Sequence, residues 1–495
     1  MIRRPVRVLL ATLLTLSAML VVAAPSHADF TAEVGIEDNR LLLFENVNLA
    51  QSTVPRWKNE LGVDVVRIQA LWDEVAPSPR SFRAPVGFTG FNHLDSRYNW
   101  QRLDFAINLV RANGMGVMLT INQKGPWWAS RYPFRRNGAY LPDPVKYGNF
   151  AYALARRYGT RVHRYLVGNE PNQGIFLAPQ NVCRFFRGRR ICSRVAPHHY
   201  RALVRAAYPR IKAGDTGLDQ VVIGEMAPIG GTIPSAPSTA PMIFLREMGC
   251  LDILFRRITT GACARFIPAR GDAFGYHPYA LLRRLRPFQP NLAFRQEAFI
   301  GDLRRVFLTM DGVTLRRRIL APFNRFNLYL TEFGYETNPP DPRFGISQQT
   351  QSTYLQQSQY IAWFTPRVKN LTQYLFRDDP NKFVGPSNTS FQTGLEFFDG
   401  QPKLALRTFP HPFFIGSLPR TVRKRFWGQI KPGGIQTAFL QQSVAGGPFT
   451  TIAALRTNFR GYFNHIRIPI RGATYRFTYG GPAGDQFASD GIRVP

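Results

Sequence analysis

The sequence predicts an α/β fold: a (β/α)8, or TIM, barrel followed by a small C-terminal all-β domain of β-sandwich type. Three observations predict it. Over residues 29–412, short β-branched runs alternate with helix-period segments, as in a parallel sheet built from βα units. Eight such runs can be counted, at 32–37, 63–71, 116–122, 165–169, 220–225, 273–279, 327–332 and 371–376. Beyond Pro412 the helical period stops, and alternating runs such as TIAALRT, HIRIPIRG and YRFTYGG stand between Gly-rich turns. A doubly wound open sheet is the competing architecture; eight repeats in one continuous stretch favour a closed barrel with enlarged loops.

Taken in order, the first element is a leader. Arg3, Arg4 and Arg7 precede an apolar run over residues 8–24, and Ser26-His27-Ala28 offers a small-residue cleavage site. This is the layout of a signal peptide at 1–28. The run is short for a stable membrane anchor, and no other long uncharged apolar segment follows. The expected product is an exported chain with no transmembrane segment. The barrel occupies 29–412, where segments such as WQRLDFAINLVRANG and YGNFAYALARRYG each carry one apolar face and close on a Gly suited to a C-cap. Residues 413–420 read as a linker, and 421–495 as the β domain, with ten basic and two acidic residues.

Four cysteines accord with export. Cys183 and Cys192 lie nine positions apart, and Cys250 and Cys263 thirteen, so neighbour pairing would close two small disulfide loops. A zinc site would need CxxC or His spacing that is absent. The charge is extreme: 63 Lys and Arg against 31 Asp and Glu, or +32. Such a field attracts polyanions, among them acidic or wall-associated glycans, anionic lipid and nucleic acid. No recognised nucleic-acid motif accompanies it. A solvated Arg-rich surface explains the same number.

Chemistry is written at two strand ends. YLVGNEPNQG ends an apolar run on Asn169, Glu170 and Pro171, and LYLTEFGYET ends another on Glu332. A carboxylate closing an apolar run needs a reason, and in a barrel the C-terminal strand ends carry the active site. The two strands are the fourth and seventh, so their tips can face each other across the mouth. Two facing carboxyl groups, one protonated and one ionised, are what glycosidic bond cleavage requires. Sugar rings also pack on aromatic faces, and Trp72, Trp127 and Trp128 follow the second and third strands. HExxH, P-loop, GxGxxG and GxSxG patterns are missing, and neither metal nor cofactor is expected.

In these residues the chain resembles the retaining glycoside hydrolases of clan A, the 4/7 superfamily of (β/α)8 barrels. Asn169-Glu170-Pro171 and Thr331-Glu332-Phe333-Gly334 match its two motifs, over a resemblance spanning roughly residues 30–412. It extends to VVRIQALWDEVAP, GPWWA, GYHPY and GLEFFDGQPKLAL, without resolving a family within the clan. The resemblance implies Glu170 as acid/base and Glu332 as nucleophile. It also implies Asn169 hydrogen-bonded to the sugar 2-hydroxyl, Arg67 beside Glu332, Tyr279 bonded to the nucleophile, and His277 as a further contact. The expected function is a secreted retaining glycosidase acting on a poly- or oligosaccharide. The alternatives are a transglycosylase and a non-catalytic carbohydrate- or wall-binding protein on the same barrel.

Overall fold

The computed structural model describes residues 31–217, 219–280, 284–317, 325–380, 390–481 and 484–495. The leader expected at 1–28 lies outside them. Four strands open the chain: β1 (Glu33–Glu37), β2 (Val65–Ala70), β3 (Gly116–Ile121) and β4 (Arg164–Val167). A hairpin of β5 (Asn181–Phe186) and β6 (Arg189–Arg194) stands apart from them. Then come β7 (Gln220–Met226), β8 (Ala273–Tyr276), β9 (Leu328–Phe333) and β10 (Val368–Tyr374). The hairpin aside, these eight strands are parallel and close into a ring in which β1 pairs with both β2 and β10. All eight expected strands are present, and closure removes the open-sheet alternative.

Around the ring run α1 (Val47–Asn59), α2 (Trp72–Val75), α3 (Gln101–Ala112), α4 (Pro144–Tyr158), α5 (Ala196–Gly214), α6 (Pro241–Met248), α7 (Leu303–Arg317) and α8 (Gln348–Phe364). Helix α3 buries Leu103, Ala106, Ile107 and Val110, the face its spacing predicts, and Gly114 follows it at φ +69°. Helix α4 starts at Asp143, whose carboxylate accepts the Val145 and Lys146 N–H groups, with Pro144 in the first position. Its other end departs from expectation. Gly159 stays right-handed at φ −38° and opens a 3-10 turn instead of a left-handed cap.

Inside the ring, side chains alternate into three layers. At the bottom Arg164 pairs with Glu33 and lies over the Tyr329 ring. Val65, Met118, Leu166, Val222, Ala273 and Tyr329 form an apolar plug above it. The top layer is polar, holding Glu37, Arg67, Asn169, Glu225 and Glu332, and it sits at the C-terminal strand ends.

A short helix, α9 (Leu404–Thr408), leads to the second domain. There β11 (Phe413–Ser417), β12 (Lys424–Gln429), β13 (Thr437–Ser443), β14 (Thr450–Arg456), β15 (Tyr462–Arg467), β16 (Thr474–Gly480), β17 (Gln486–Ala488) and β18 (Ile492–Arg493) make two antiparallel sheets. Phe413, Phe426 and Phe463 from one sheet pack on Leu440, Tyr475 and Phe477 from the other, a sandwich core. The linker expected at 413–420 is corrected here. Phe413–Ser417 is a strand bonded along β12, because Phe413 enters that core.

The sandwich is packed on the barrel. Tyr360 and Trp363 of α8 meet Trp427 and Tyr462, and the Tyr462 hydroxyl donates to the Ala32 carbonyl. Lys431 is buried at the junction, where its ammonium donates to Gln359 (2.6 Å) and the Phe409 carbonyl (2.9 Å). Replacing Trp427 with Ala should therefore cost about 3–5 kcal/mol and lower a single shared unfolding transition. Denaturant unfolding followed by calorimetry checks this; separate barrel and sandwich transitions in the wild type would contradict it.

Candidate active site

Arg67 is the centre of the polar layer. It faces inward from β2 and is fully buried. One terminal nitrogen donates to Glu37 and to Glu332 Oε1 (2.6 Å); the other donates to Asn169 Oδ1 (2.8 Å) and Glu225 Oε2 (2.9 Å). A planar, permanently charged fork suits four acceptors at once, where a lysine would not. Burial works against its charge, but the three carboxylates outweigh burial and hold its pKa well above the ordinary value. Each acceptor comes from a different strand, so one side chain ties together β1, the β4 tip, β7 and β9.

The strand tips bend to reach it. Gly168 (φ +83°) and Glu170 (φ +40°) break the alternation after β4, which turns Asn169 into the barrel mouth. Glu225 (φ +50°) sits at a register shift between β7 and β8, and the pairing of β9 with β10 skips a step across Thr331 and Glu332. Bulges of this kind re-aim side chains at functional sites. Gly275 leaves room for the result: a Cβ there would lie 1.7 Å from Glu225 Oε1. Gln123 clamps the β4 tip through both backbone groups of Asn169, accepting at 2.7 Å and donating at 2.8 Å.

Above this layer opens a cavity of about 530 Å³. Gln69, Asn169, Glu170, Tyr279, Glu332 and Tyr374 supply its polar lining, and Phe176, Ile229, Phe344 and Phe391 supply apolar walls. A Glu170 oxygen, a Glu332 oxygen and a His277 ring nitrogen all lie within 4.8 Å of one another. His277 Nδ1 is 3.0 Å from Glu170 Oε1 and 3.5 Å from Glu332 Oε2, and Nε2 is 3.5 Å from Glu225. The Tyr279 hydroxyl donates to Glu332 Oε2 (3.1 Å), so both oxygens of Glu332 are held. Asn169 accepts from Arg67 through its oxygen, which directs its amide N–H groups toward the cavity.

These contacts divide the proton affinities. Burial raises the Glu170 carboxyl above its ordinary pKa, the Glu332 charge adds to this, and His277 and Arg67 only partly oppose it. Burial lowers His277, yet Glu332, Glu170 and Glu225 together lift it to about 10, so the ring is an imidazolium at neutral pH. Burial also pushes Glu225 up, but Arg67 and His277 outweigh it and hold the group below its usual value. Glu37 is raised to about 7, mainly by burial. On the cavity wall Glu336 is raised to about 9 by burial and by its hydrogen bond with Asp341, and it stands as a neutral acid.

Glu170, His277 and Glu332 are close enough to grip a cation. Their chemistry fits poorly, because a protonated imidazole has no lone pair to give and Arg67 already occupies Glu332. His198, Cys250 and Cys263 form a second close group, but both cysteines are in a disulfide. The pairs are Cys183–Cys192 and Cys250–Cys263, as the spacing predicts.

Six expected residues therefore meet at one site: Arg67, Asn169, Glu170, His277, Tyr279 and Glu332. The three tryptophans do not line it. Trp72 is 1% exposed, stacked on Phe150 (5.4 Å), and Trp128 is buried edge-on against it with its indole N–H donated to Pro77. Their role as sugar platforms is corrected to wall packing, because their faces are covered. Trp127 is half-buried and stacks on Phe82 outside the cavity. Glu37, Tyr374 and Glu336 were missed. Glu37 ends a barrel strand on a carboxylate, the signal that marks Glu332; Tyr374 ends one without a charge and Glu336 lies in a loop, so neither gives that signal.

No protein-family model matches the chain, and no curated protein matches it. Among solved structures, it is similar to β-glucuronidase 2 of Bacteroides uniformis at 13% identity and a TM-score of 0.44, covering 94% of this chain and 46% of that one. The chain thus spans under half the length of that protein. It is also similar to a GH5_18 protein of Streptomyces cattleya in complex with GlcNAc (15%, TM-score 0.47, 77% of this chain and 79% of that one). A third is xylanase 10B of Thermotoga maritima (13%, TM-score 0.44, 76% and 93%).

Substituting Arg67 with Met leaves buried carboxylates without their counter-charge and should destabilise the fold by about 3–5 kcal/mol at neutral pH. Without Arg67, burial is opposed only by Gln69 at Glu37 and by His277 and Thr331 at Glu225, so both carboxyl groups move up. Acidification then neutralises them, so the deficit should narrow as pH falls. Urea titrations at several pH values check the sign; a deficit that widens on acidification would contradict the assignment.

Proposed function

We propose that the protein is a secreted glycoside hydrolase that cleaves O-glycosidic bonds of a poly- or oligosaccharide with retention of anomeric configuration. One observation carries this reading: Glu170 and Glu332, from separate strand tips, bring carboxylate oxygens within 4.8 Å of each other on one sugar-sized cavity. Direct attack by a carboxylate asks for a separation of about 5–5.5 Å, whereas inversion asks for about 6.5–9.5 Å to admit a water between the groups. The close spacing supports the first.

In the first step Glu332 attacks the anomeric carbon while the raised Glu170 gives its proton to the leaving oxygen, and a covalent glycosyl-enzyme forms. In the second, Glu170 takes a proton from water, and the water oxygen displaces Glu332. Arg67 and Tyr279 fix the nucleophile's two oxygens, and the imidazolium of His277 orients Glu170 through its Nδ1–H. The Asn169 amide is placed to donate to the sugar 2-hydroxyl, a bond that strengthens as the ring approaches an oxocarbenium ion. The two disulfides favour an oxidising compartment and so support export.

Kinetics on a panel of aryl glycosides tests this. Glu332→Gln should lower kcat by ~10⁴-fold or more whatever the leaving group. In kcat/KM, which reports the first step alone, Glu170→Gln should cost ~10²–10⁴-fold with a poor leaving group and far less with an activated one. Equal losses for both leaving groups would remove Glu170 as the acid. The sign of its pKa shift gives a second expectation. Because burial holds the proton on Glu170, kcat/KM should persist above the ordinary carboxylate range and decline only at higher pH, as that proton leaves. This alkaline limb should vanish in Glu170→Gln with the activated substrate. A limb that survives belongs to another group.

A further inference from the structure

The active-site cavity continues into a second groove of about 650 Å³, and Gln173 and Ile175 line both. One wall of this groove is the β5–β6 hairpin, contributing Cys183 and Arg190; Ser235 and Ser238 stand opposite. The hairpin is a rigid ribbon. Its two-residue turn places Arg187 (φ +49°) and Gly188 (φ +71°) in the left-handed region, the geometry of a tight primed turn. The Cys183–Cys192 disulfide links directly opposed residues, and Asn181 donates to the Ala236 carbonyl at 2.6 Å.

Register decides what each face shows. Phe185 lies opposite Arg190 beside the disulfide, on the face toward the groove. Arg184 and Arg189, opposite Ile191 and Phe186, lie on the other face. Phe185 is 79% exposed, and no ion pair involves Arg184, Arg187, Arg189 or Arg190 among the described residues. Residues 171–195 contain no Asp or Glu at all. The neighbouring loop extends the field. Residues 125–142 also lack acids but hold Arg131, Arg135 and Arg136, and the loop is tied to the hairpin's base by reciprocal bonds between Leu141, Ala178 and Ala139.

A groove that leads from the catalytic cavity, with an unpaired guanidinium on its wall and an exposed ring beside it on the same face of the ribbon, matches one chemistry. We propose that it is an extended subsite for an anionic glycan, in which Phe185 packs on a sugar face while Arg190 pairs with a carboxylate or phosphate of the chain. This rests on the glycosidase reading and adds the substrate class to it. Arginine forms bidentate pairs with either anion. The general field concentrates the polymer, and the ribbon's inner face selects it.

The test uses the full chain carrying Glu332→Gln to stop turnover, with binding measured by calorimetry. Polygalacturonate and a glycerol-phosphate wall polymer serve as anionic probes, and a neutral mannan as control. The unaltered hairpin should bind at least one anionic polymer more tightly than mannan at about 150 mM salt. Phe185→Ala with Arg190→Gln should weaken that binding about tenfold or more. Arg184→Gln with Arg189→Gln removes more charge from the same ribbon and should leave binding within about twofold. The polymer that responds identifies carboxylate or phosphate. Equal losses in the two variants reduce the effect to bulk charge and overturn the proposal, as does binding of neither anionic polymer above mannan. Thermal melts of both variants confirm that the stapled hairpin remains folded. Turnover of a single-sugar aryl glycoside, read with Glu332 restored, should match wild type in both variants. Absence of that turnover in the wild type would defeat the glycosidase reading, independently of polymer binding.

Discussion

The buried guanidinium of Arg67 is the constraint on which the rest of the active end depends. Removing such a charge from water costs several kcal/mol, and only good geometry with close hydrogen-bonded counter-charges offsets it. Here the geometry is supplied by four strands that would otherwise end independently. The tie acts in both directions. The carboxylates keep Arg67 charged, and Arg67 fixes where Glu332 points, turns the Asn169 amide outward and keeps Glu225 ionised. His277 then completes the set from β8's exit. Two cations thus face four carboxyl groups: Glu37, Glu170, Glu225 and Glu332. The cations cannot compensate all four, and burial leaves the surplus as proton affinity on Glu170 and Glu37. On the proposed glycosidase reading, that imbalance supplies the proton of Glu170 without a dedicated device.

The barrel divides stability from chemistry along its axis. The apolar plug of Val65, Met118, Leu166 and Val222 lies below the polar layer in regular register. Irregularity gathers at the upper ends, at Gly168–Glu170, Gly224–Glu225 and Thr331–Glu332, with one further register shift low on β10 between Val368 and Asn370. Left-handed conformations at Glu170 and Glu225 are costly for residues with a Cβ. They persist because clamps such as Gln123 on Asn169, and Asn172 on the Ala227 and Ile229 carbonyls, over-determine the backbone.

What the sequence made legible follows from how local each signal is. The strands were readable because a buried parallel strand is a short apolar run, and the pair Glu170 and Glu332 because a charge ends such a run. The convergence of Arg67 with Asn169 and Glu332 was legible only through the resemblance, since the contacts span 102 and 265 positions. Trp72 and Trp128 misled because an aromatic after a strand packs equally well on a wall or a sugar; Phe150 and Tyr147, far along the chain, decide for the wall. Glu37 carried the same mark as Glu332 and was passed over. Glu336 needs Asp341 and the cavity to acquire meaning, and neither is visible in a one-dimensional pattern. The 413–420 segment, with Gly416 and Pro419 inside it, reads as a linker, while the partner strand that makes its first half β11 begins only at Lys424.

The stereochemistry of the first product tests the central claim most directly. Proton NMR of an aryl glycoside digest, recorded before mutarotation scrambles the anomers, reports the configuration of the sugar as it leaves the protein. The nearest oxygens of Glu170 and Glu332 lie within 4.8 Å, short of the gap of about 6.5–9.5 Å that accompanies inversion, so the product should keep the substrate's anomeric configuration. A first-formed product of opposite configuration would mean that water attacks directly, and the roles given to Glu332 and Arg67 would be wrong.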